Sequence, residues 1–83
     1  MYQVLFTKTA AKNLCQLDKR YQSAVAKAID KLAQYPTAGE PLTGPLKGLW
    51  KLRFSRYRII YQLDHGKCVI IIFDIAHRRE VYR

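Results

Sequence analysis

The chain has 83 residues, 49% of them hydrophobic, which is enough for one small domain with a single core and leaves little room for a second. Fifteen Lys and Arg against six Asp and Glu give a formal net charge of +9. A charge of this size on so short a chain predicts an acidic partner, and nucleic acid is the first candidate. Residues 1–83 are therefore expected to form one basic domain.

The positive charge is concentrated in the C-terminal part of the chain. Residues 1–46 contain six Lys and Arg and three Asp and Glu, a net charge of +3. Residues 47–83 contain nine and three, a net charge of +6. Basic residues that merely keep a small domain in solution have no reason to cluster, so this asymmetry indicates a binding surface.

Cysteine usage and the hydrophobic segments predict where the protein resides. Cys15 and Cys68 lie in apolar contexts and are predicted to be reduced thiols in the core. The longest wholly apolar run, residues 68–73, is much shorter than a membrane span. The first residues lack the basic and apolar regions of a signal peptide. The expected location is the cytoplasm.

The first part of the chain predicts a strand followed by two helices. Aromatic and branched residues at positions 2–6 favour a strand, and Thr7 can cap the helix that follows. Two apolar stripes at helical spacing come next: Ala10, Leu14 and Leu17, then Val25, Ile29 and Leu32. The first helix is predicted to reach about residue 20 and the second to end before Pro36, with a break near residues 18–21. Together they predict an antiparallel helical hairpin.

The segment from residue 36 to residue 48 interrupts this pattern. It holds all three prolines and three of the four glycines. Such a composition predicts one long irregular connection, which serves either as a plain crossover from helices to sheet or as the rim of a site.

Residues 50–54 and 57–63 alternate between apolar and polar side chains and predict a hairpin. If the loop consists of Ser55 and Arg56 alone, Arg53 lies directly across from Arg58 on the same face, where Lys51 joins them. We call Lys51, Arg53 and Arg58 the cationic cluster. Like charges in this arrangement destabilise a sheet, and the phosphates of a nucleic acid would convert the repulsion into binding energy.

The remaining segments complete the predicted fold. Residues 68–73 predict a strand that is buried on both faces and central in the sheet, and residues 77–83 predict an extended cationic tail. The face of the hairpin that opposes the helices is predicted to supply core aromatics: Trp50, Phe54, Tyr57 and Tyr61. The order β-α-α-β-β-β predicts an α+β fold, with the N-terminal strand and an antiparallel helical hairpin packed on a mostly antiparallel sheet of about four strands.

Three runs of sequence carry a resemblance to a known family: LKGLWKLR at residues 46–53, YRIIY at 57–61 and HRREVY at 77–82. Together they resemble the RelE/ParE superfamily of bacterial type II toxins over essentially the whole chain. The resemblance implies the RelE-like fold described above and a cognate acidic, RelB-like antitoxin. It also implies one of two activities, since the RelE branch comprises ribosome-dependent messenger-RNA endonucleases and the ParE branch comprises DNA gyrase inhibitors that catalyse no reaction.

Similarity to the RelE branch implies a catalytic set. Lys51 and Arg53 match a basic pair on one strand, with Arg53 where the best-known pattern has a second lysine. Arg58 matches the arginine of the next strand. Arg78 matches an arginine after the last long strand, and Tyr82 matches a tyrosine near the C-terminus. A gyrase inhibitor has no chemical reason to keep these residues together, so the set favours the messenger-RNA endonuclease.

Cleavage of RNA without a metal requires a base for the 2′-hydroxyl proton, cations for the phosphorane and a donor for the leaving 5′-oxygen. The two histidines and two cysteines lack zinc spacing, so neither a metal nor another cofactor is expected. Lys51 is the first candidate base, because the arginines beside it oppose a third positive charge, and Tyr82 is either an alternative base or a stacking platform for a nucleobase. Arg58 suits the phosphorane oxygens, and either Arg78 or His77 suits the leaving oxygen.

Further basic residues are predicted to contact RNA phosphates without taking part in the chemistry: Lys47, Arg56, Arg79 and Arg83. Arg79 remains an alternative to Arg78. Two other functions also stay open, a gyrase inhibitor of the ParE type and a basic nucleic-acid-binding domain without toxic activity.

Overall fold

The structure, a computed structural model, describes residues 1–77 and, for His77, the backbone alone. Its elements are β1 (Gln3–Phe6), α1 (Lys8–Gln16), α2 (Lys19–Gln34), β2 (Glu40–Pro41), β3 (Leu49–Phe54), β4 (Tyr57–Asp64) and β5 (Val69–His77). Two short 3₁₀ turns, Pro36–Ala38 and Gly44–Leu46, flank β2. The predicted irregular connection is therefore locally ordered.

Side-chain caps fix where the two helices begin. The Thr7 hydroxyl accepts a hydrogen bond from the backbone N–H of Ala10 at 3.1 Å, and Asp18 accepts one from the backbone N–H of Arg20 at 3.2 Å. Because Asp18 caps α2, the break between the helices falls at residues 17–18, and α1 ends earlier than the sequence predicts. The helical hairpin itself is confirmed.

The sheet has five strands in the order β1-β5-β4-β3-β2, all antiparallel neighbours except the parallel pair β1–β5. The predicted α+β class and mostly antiparallel sheet are confirmed, with β2 as an additional short edge strand. The central strand is β4, so the prediction that residues 68–73 occupy the centre is wrong. Ile70 and Ile72 are fully buried, whereas Val69 and Ile71 are half-buried because the helices cover one face of the sheet.

The core lies between the helices and that face. Its fully or nearly fully buried members are Ala10, Val25, Ile29, Leu32, Ile59, Tyr61, Ile70, Ile72 and Ile75. Both predicted helical stripes contribute to it, with Leu14 and Leu17 partly buried at its margin. Within residues 1–77, neither helix is long and apolar enough to cross a membrane.

The two cysteines are exposed free thiols, so their predicted placement in the core is wrong. Cys15 follows the half-buried Leu14, and one residue turns a helix by about 100°, which carries its side chain to the solvent side of α1. Cys68 lies in the turn before β5 with a φ of 55°, outside the strand that the apolar run suggested. In both cases one neighbour, Leu14 or Val69, is half-buried and the cysteine is exposed.

Candidate nucleic-acid interface

The β3–β4 hairpin has the predicted register. Arg53 pairs with Arg58 across the two strands, and Phe54 pairs with Tyr57, which leaves Ser55 and Arg56 as a two-residue loop. Ser55 has a φ of 51°, so it adopts the left-handed conformation that such tight loops require without a glycine. The two arginines consequently lie side by side on one face.

The cationic cluster forms on the face of the sheet that the helices do not cover. Lys51 pairs with Ile60 and lies two residues before Arg53, so its side chain shares the face of the two arginines. Arg58 is only 6% exposed, Lys51 is half-buried and Arg53 is exposed. Arg58 is flanked on β5 by Ala76, a small residue that leaves room for the long side chain. The cluster therefore combines a buried cation with two accessible ones.

Aromatic side chains hold the hairpin from its opposite face. Trp50 stacks on Tyr61 with ring centroids 6.2 Å apart, and Phe54 stacks on Tyr57 at 6.0 Å. Tyr57 and Tyr61 are buried, and Trp50 and Phe54 pack against the core. The prediction that these four aromatics are core residues is confirmed. They fix the two strands that carry the cationic cluster.

The hydroxyl of Tyr61 ties the segment after α2 to the sheet. The backbone N–H of Gly39 donates to this oxygen at 3.1 Å, and the hydroxyl donates to the carbonyl of Pro36 at 3.0 Å. Burial raises the pKa of Tyr61 above its ordinary value, and the hydrogen bond from Gly39 lowers it in part. The phenol is therefore held neutral, as its role as a donor to Pro36 requires. We call these two hydrogen bonds the Tyr61 clasp.

The Tyr61 clasp holds the backbone of Gly39 so close to β3 that there is no space for a side chain at this position. A Cβ at Gly39 would lie 2.5 Å from the carbonyl oxygen of Lys51 and 2.5 Å from the hydroxyl of Tyr61. A pocket of ≈150 Å³ opens beside this contact, lined by Ala38, Gly39, Glu40, Lys51, Leu52 and Arg53. It adjoins the cationic cluster and shares two residues with it.

Glu40 is a candidate functional residue that the sequence patterns miss. It lies on β2 directly across from Lys51, which places a carboxylate beside the cationic cluster. With two residues, β2 is too short for any periodicity to reveal it. The sequence offers one signal for Glu40, its position inside the glycine- and proline-rich segment 36–48. For that segment the sequence predicts either a plain crossover from helices to sheet or the rim of a site.

The other predicted site residues fall into two groups. Lys47 and Arg56 are exposed in the loops at the two ends of β3. The backbone of His77 pairs with Tyr57, next to Arg58, and its side chain is not described. The remaining members lie outside the described residues: Arg78, Arg79, Tyr82 and Arg83. The structure thus brings together Lys51, Arg53 and Arg58, and the rest of the catalytic set stays a prediction.

A helical hairpin packed on a mixed sheet is also the fold of RelE-type toxins of known structure. The family model described as the ParE toxin of the type II toxin–antitoxin system parDE matches residues 4–82. The toxin RelG of Mycobacterium tuberculosis is 34% identical over 84 residues, covering 99% of this chain and 97% of its own length.

Solved structures agree with this comparison. The toxin–antitoxin complex RelBE2 of M. tuberculosis contains a chain that superposes with a TM-score of 0.87 at 34% identity, over 93% of this chain and 98% of that one. The isolated RelE toxin of Escherichia coli has the same fold, with a TM-score of 0.80 over 99% of this chain and 92% of that one, at 24% identity. The chain belongs to the ParE toxin family of type II toxin–antitoxin systems and is a toxin of the RelE/ParE type.

Proposed function

We propose that this toxin is a ribosome-dependent endoribonuclease that cleaves messenger RNA without a metal and thereby blocks translation. The observation that carries the proposal is the pairing of Arg53 with Arg58, the latter 6% exposed, on the face of Lys51. Three cations in this arrangement favour an anion between them, and the phosphorane formed during RNA cleavage carries the charge that they would stabilise. The identity of the relatives, toxins named RelG and RelE, supports the same branch.

The reaction assigns a task to each predicted residue. The 2′-oxygen attacks the phosphorus as a base removes its proton, and the bond to the 5′-oxygen breaks as that oxygen gains a proton. Arg58, with its planar fork of donors, binds the phosphorane oxygens, and Arg53 shares the charge. The base is Lys51 or Tyr82, and the donor to the leaving oxygen is Arg78 or His77. The backbone of His77, the last residue of β5, pairs with Tyr57.

We also propose an acidic antitoxin of the RelB kind as the partner that silences the toxin. The relatives with known structures include RelBE toxin–antitoxin complexes, among them the complex from M. tuberculosis. An acidic chain complements a net charge of +9, and by covering the cationic cluster it would keep RNA away. Addition of such a partner is expected to stop cleavage.

The test is to induce the protein in bacteria and map the 5′ ends of translated messages within minutes, beside the variants Arg58→Ala and Lys67→Ala. Cuts inside reading frames, in phase with codons, are expected for the wild type. Arg58→Ala should lose them by about 100-fold or more, since a single transition-state donor contributes that much. Lys67 is an exposed residue of the β4–β5 turn, so Lys67→Ala should cut normally. Unchanged cleavage by Arg58→Ala would refute the site.

A second function, inhibition of DNA gyrase, is favoured by the name of the matching family model. It requires no RNA chemistry and predicts intact messages, inhibited supercoiling and a DNA-damage response in cells whose growth has stopped. The same induction experiment separates the two, because the endoribonuclease leaves supercoiling unchanged. The absence of any effect on growth would instead support a non-toxic binding domain.

A further inference from the structure

A bulge in β5 decides which face of the sheet Asp74 occupies. Ile72 lies in the core, and strict alternation along the strand would send Asp74 there too. The register shifts at this point, because Phe73 is an extra residue that faces no residue of β4. The next core position therefore passes to Ile75, and Asp74 pairs with Ile60 on the face that the helices do not cover. Bulges that re-aim a side chain in this way are common next to active sites.

Two side chains from the N-terminal part of the chain hold the bulge and its carboxylate. The hydroxyl of Thr7 donates to the carbonyl of Phe73 at 3.2 Å. The side-chain amide of Asn13, assigned the orientation in which its nitrogen faces acceptors, donates to Oδ1 of Asp74 at 2.8 Å and to the carbonyl of Thr9 at 2.8 Å. Asp74 is half-buried, so the carboxylate is held by α1 and still reaches solvent. Its second oxygen, Oδ2, is available to accept a hydrogen bond from a ligand.

Asp74 lies one strand away from the buried arginine of the cationic cluster. Arg58 pairs with Ala76, and Ile60 pairs with Asp74, so Arg58 and Asp74 are diagonal neighbours on the same face. Cβ atoms of diagonal neighbours are about 7–8 Å apart. Ala76, the residue between them along β5, carries only a methyl group and leaves the space above it open. A nucleotide whose phosphate is bound by Arg58 therefore has room to place its sugar beside Asp74.

The chemistry of a carboxylate limits what it binds in this place. An ionised carboxylate repels phosphate oxygens and only accepts hydrogen bonds, so its ligand must be a donor. The ribose 2′-hydroxyl is a donor that every RNA nucleotide carries beside its phosphate, whatever its base. We propose that Asp74 accepts a hydrogen bond from the 2′-hydroxyl of a ribose that flanks the cut, and thereby positions the message and distinguishes RNA from DNA. This ribose is not the one whose 2′-oxygen attacks the phosphorus. The inference rests on the proposed function.

The experiment uses the full chain, made in a cell-free extract, on ribosomes programmed with synthetic messages in which single riboses around the cut are replaced by 2′-deoxyribose. The ribose that supplies the attacking oxygen stays intact in every message. The measured quantity is the ratio of the cleavage rates with ribose and with deoxyribose at each position, which does not depend on the folded fraction of the protein. The wild type should give a ratio of about ten at one fixed position, the lower end of what a hydrogen bond to a charged group contributes. Asp30 is an exposed carboxylate on α2, so Asp30→Ala should give the same ratio.

Asp74→Ala should lower that ratio to less than about two, since alanine has no acceptor. If Asp74→Ala does not fold, Asp74→Asn takes its place under the same limit, because its carbonyl oxygen still accepts from Asn13 and its other polar group is a donor. Two results would overturn the inference: a ratio close to one at every position in the wild type, or a ratio that survives in the Asp74 variant. A surviving ratio with slower cleavage of every message would instead assign Asp74 to the fold or to proton transfer. A wild type that cleaves no message overturns the proposed function and this inference together, whereas the other results overturn the inference alone.

Discussion

Arg53 and Arg58 lie directly opposite each other in the β3–β4 ladder, and the buried arginine is the one on the central strand. Like charges in this position lower the stability of a sheet. An anion bound between the two guanidinium groups would offset their mutual repulsion.

Sulfate should stabilise the wild-type chain more than it stabilises Arg58→Ala. An anion at ten times its Kd raises the free energy of unfolding by about 1.4 kcal/mol, which corresponds to a rise of several degrees in Tm for a domain of this size. The measurement is Tm in sulfate and in chloride at equal ionic strength. Lys67→Ala, in the β4–β5 turn, should respond like the wild type. Equal sulfate effects in the wild type and Arg58→Ala would contradict an anion site at the cationic cluster.

Tyr61→Phe should lower the free energy of unfolding by about 1–3 kcal/mol, because the N–H of Gly39 and the carbonyl of Pro36 both lose their partner. Urea denaturation measures the change. Tyr35 is exposed, so Tyr35→Phe is the matched control and should change stability by less than about 0.5 kcal/mol. Similar values for the two variants would show that the Tyr61 clasp contributes nothing.

Gly39→Ala should destabilise the fold by about 1–3 kcal/mol, since its Cβ would lie 2.5 Å from the Lys51 carbonyl and the chain must move away from β3. Gly66→Ala is the control, because the nearest atom to its Cβ is Asp64 Oδ1 at 3.5 Å, an ordinary contact. Unfolding of both variants in urea tests the difference. A fully stable Gly39→Ala would mean that segment 36–39 adapts freely.

Stability should fall with rising pH in alkaline solution, and part of the fall should depend on Tyr61. Its pKa is raised by burial, so above the ordinary value of about 10 the unfolded chain loses the phenol proton before the folded chain does. The contribution is fully present below that value and is lost as pH rises towards the folded pKa. Unfolding free energies from about pH 8 to pH 11 should decline more steeply for the wild type than for Tyr61→Phe. Parallel curves would contradict the shift.

Both cysteines should react with a thiol reagent in the folded protein, because both are exposed. Ala10 is fully buried on α1, so a cysteine introduced there serves as the buried control for the reaction rates of Cys15 and Cys68. In a chain whose own cysteines are replaced by serine, Ala10→Cys should react only as fast as the protein unfolds. Slow reaction of Cys15 or Cys68 would restore the core placement that the sequence suggested.

The sequence predicts the hairpin and its cationic cluster because two independent patterns agree. Alternation places Leu52 and Ile59 on one face, and a two-residue loop then leaves no register except the one that pairs Arg53 with Arg58. A shift by one residue would turn every apolar side chain of the strand to the wrong face. Helical spacing predicts the helices for a similar reason, since each stripe must reach the same core.

The sequence does not predict features that depend on distant backbone. Strand β2 exists because Glu40 and Pro41 pair with β3, and two residues carry no periodicity of their own. The need for glycine at residue 39 arises from Lys51 and Tyr61, which are more than ten positions away along the chain. The sequence predicts a core position for both cysteines, and the structure does not bear this out, because apolar neighbours indicate a buried element without indicating which of its faces a given residue occupies. The roles of residues 78–83 remain predictions.

The place of β5 in the sheet has a consequence for the cell that makes this toxin. Strand β5 comes last among the described strands, yet it is inserted between β1 and β4 and is the only described neighbour of β1. A nascent chain that has not yet supplied residues 69–77 cannot join its first strand to the hairpin, and Ile59 and Tyr61 lack the β5 residues that they pair with. The sheet is thus completed only when most of the polypeptide has been synthesised, and we expect translation products that stop short of β5 to be inactive as toxins.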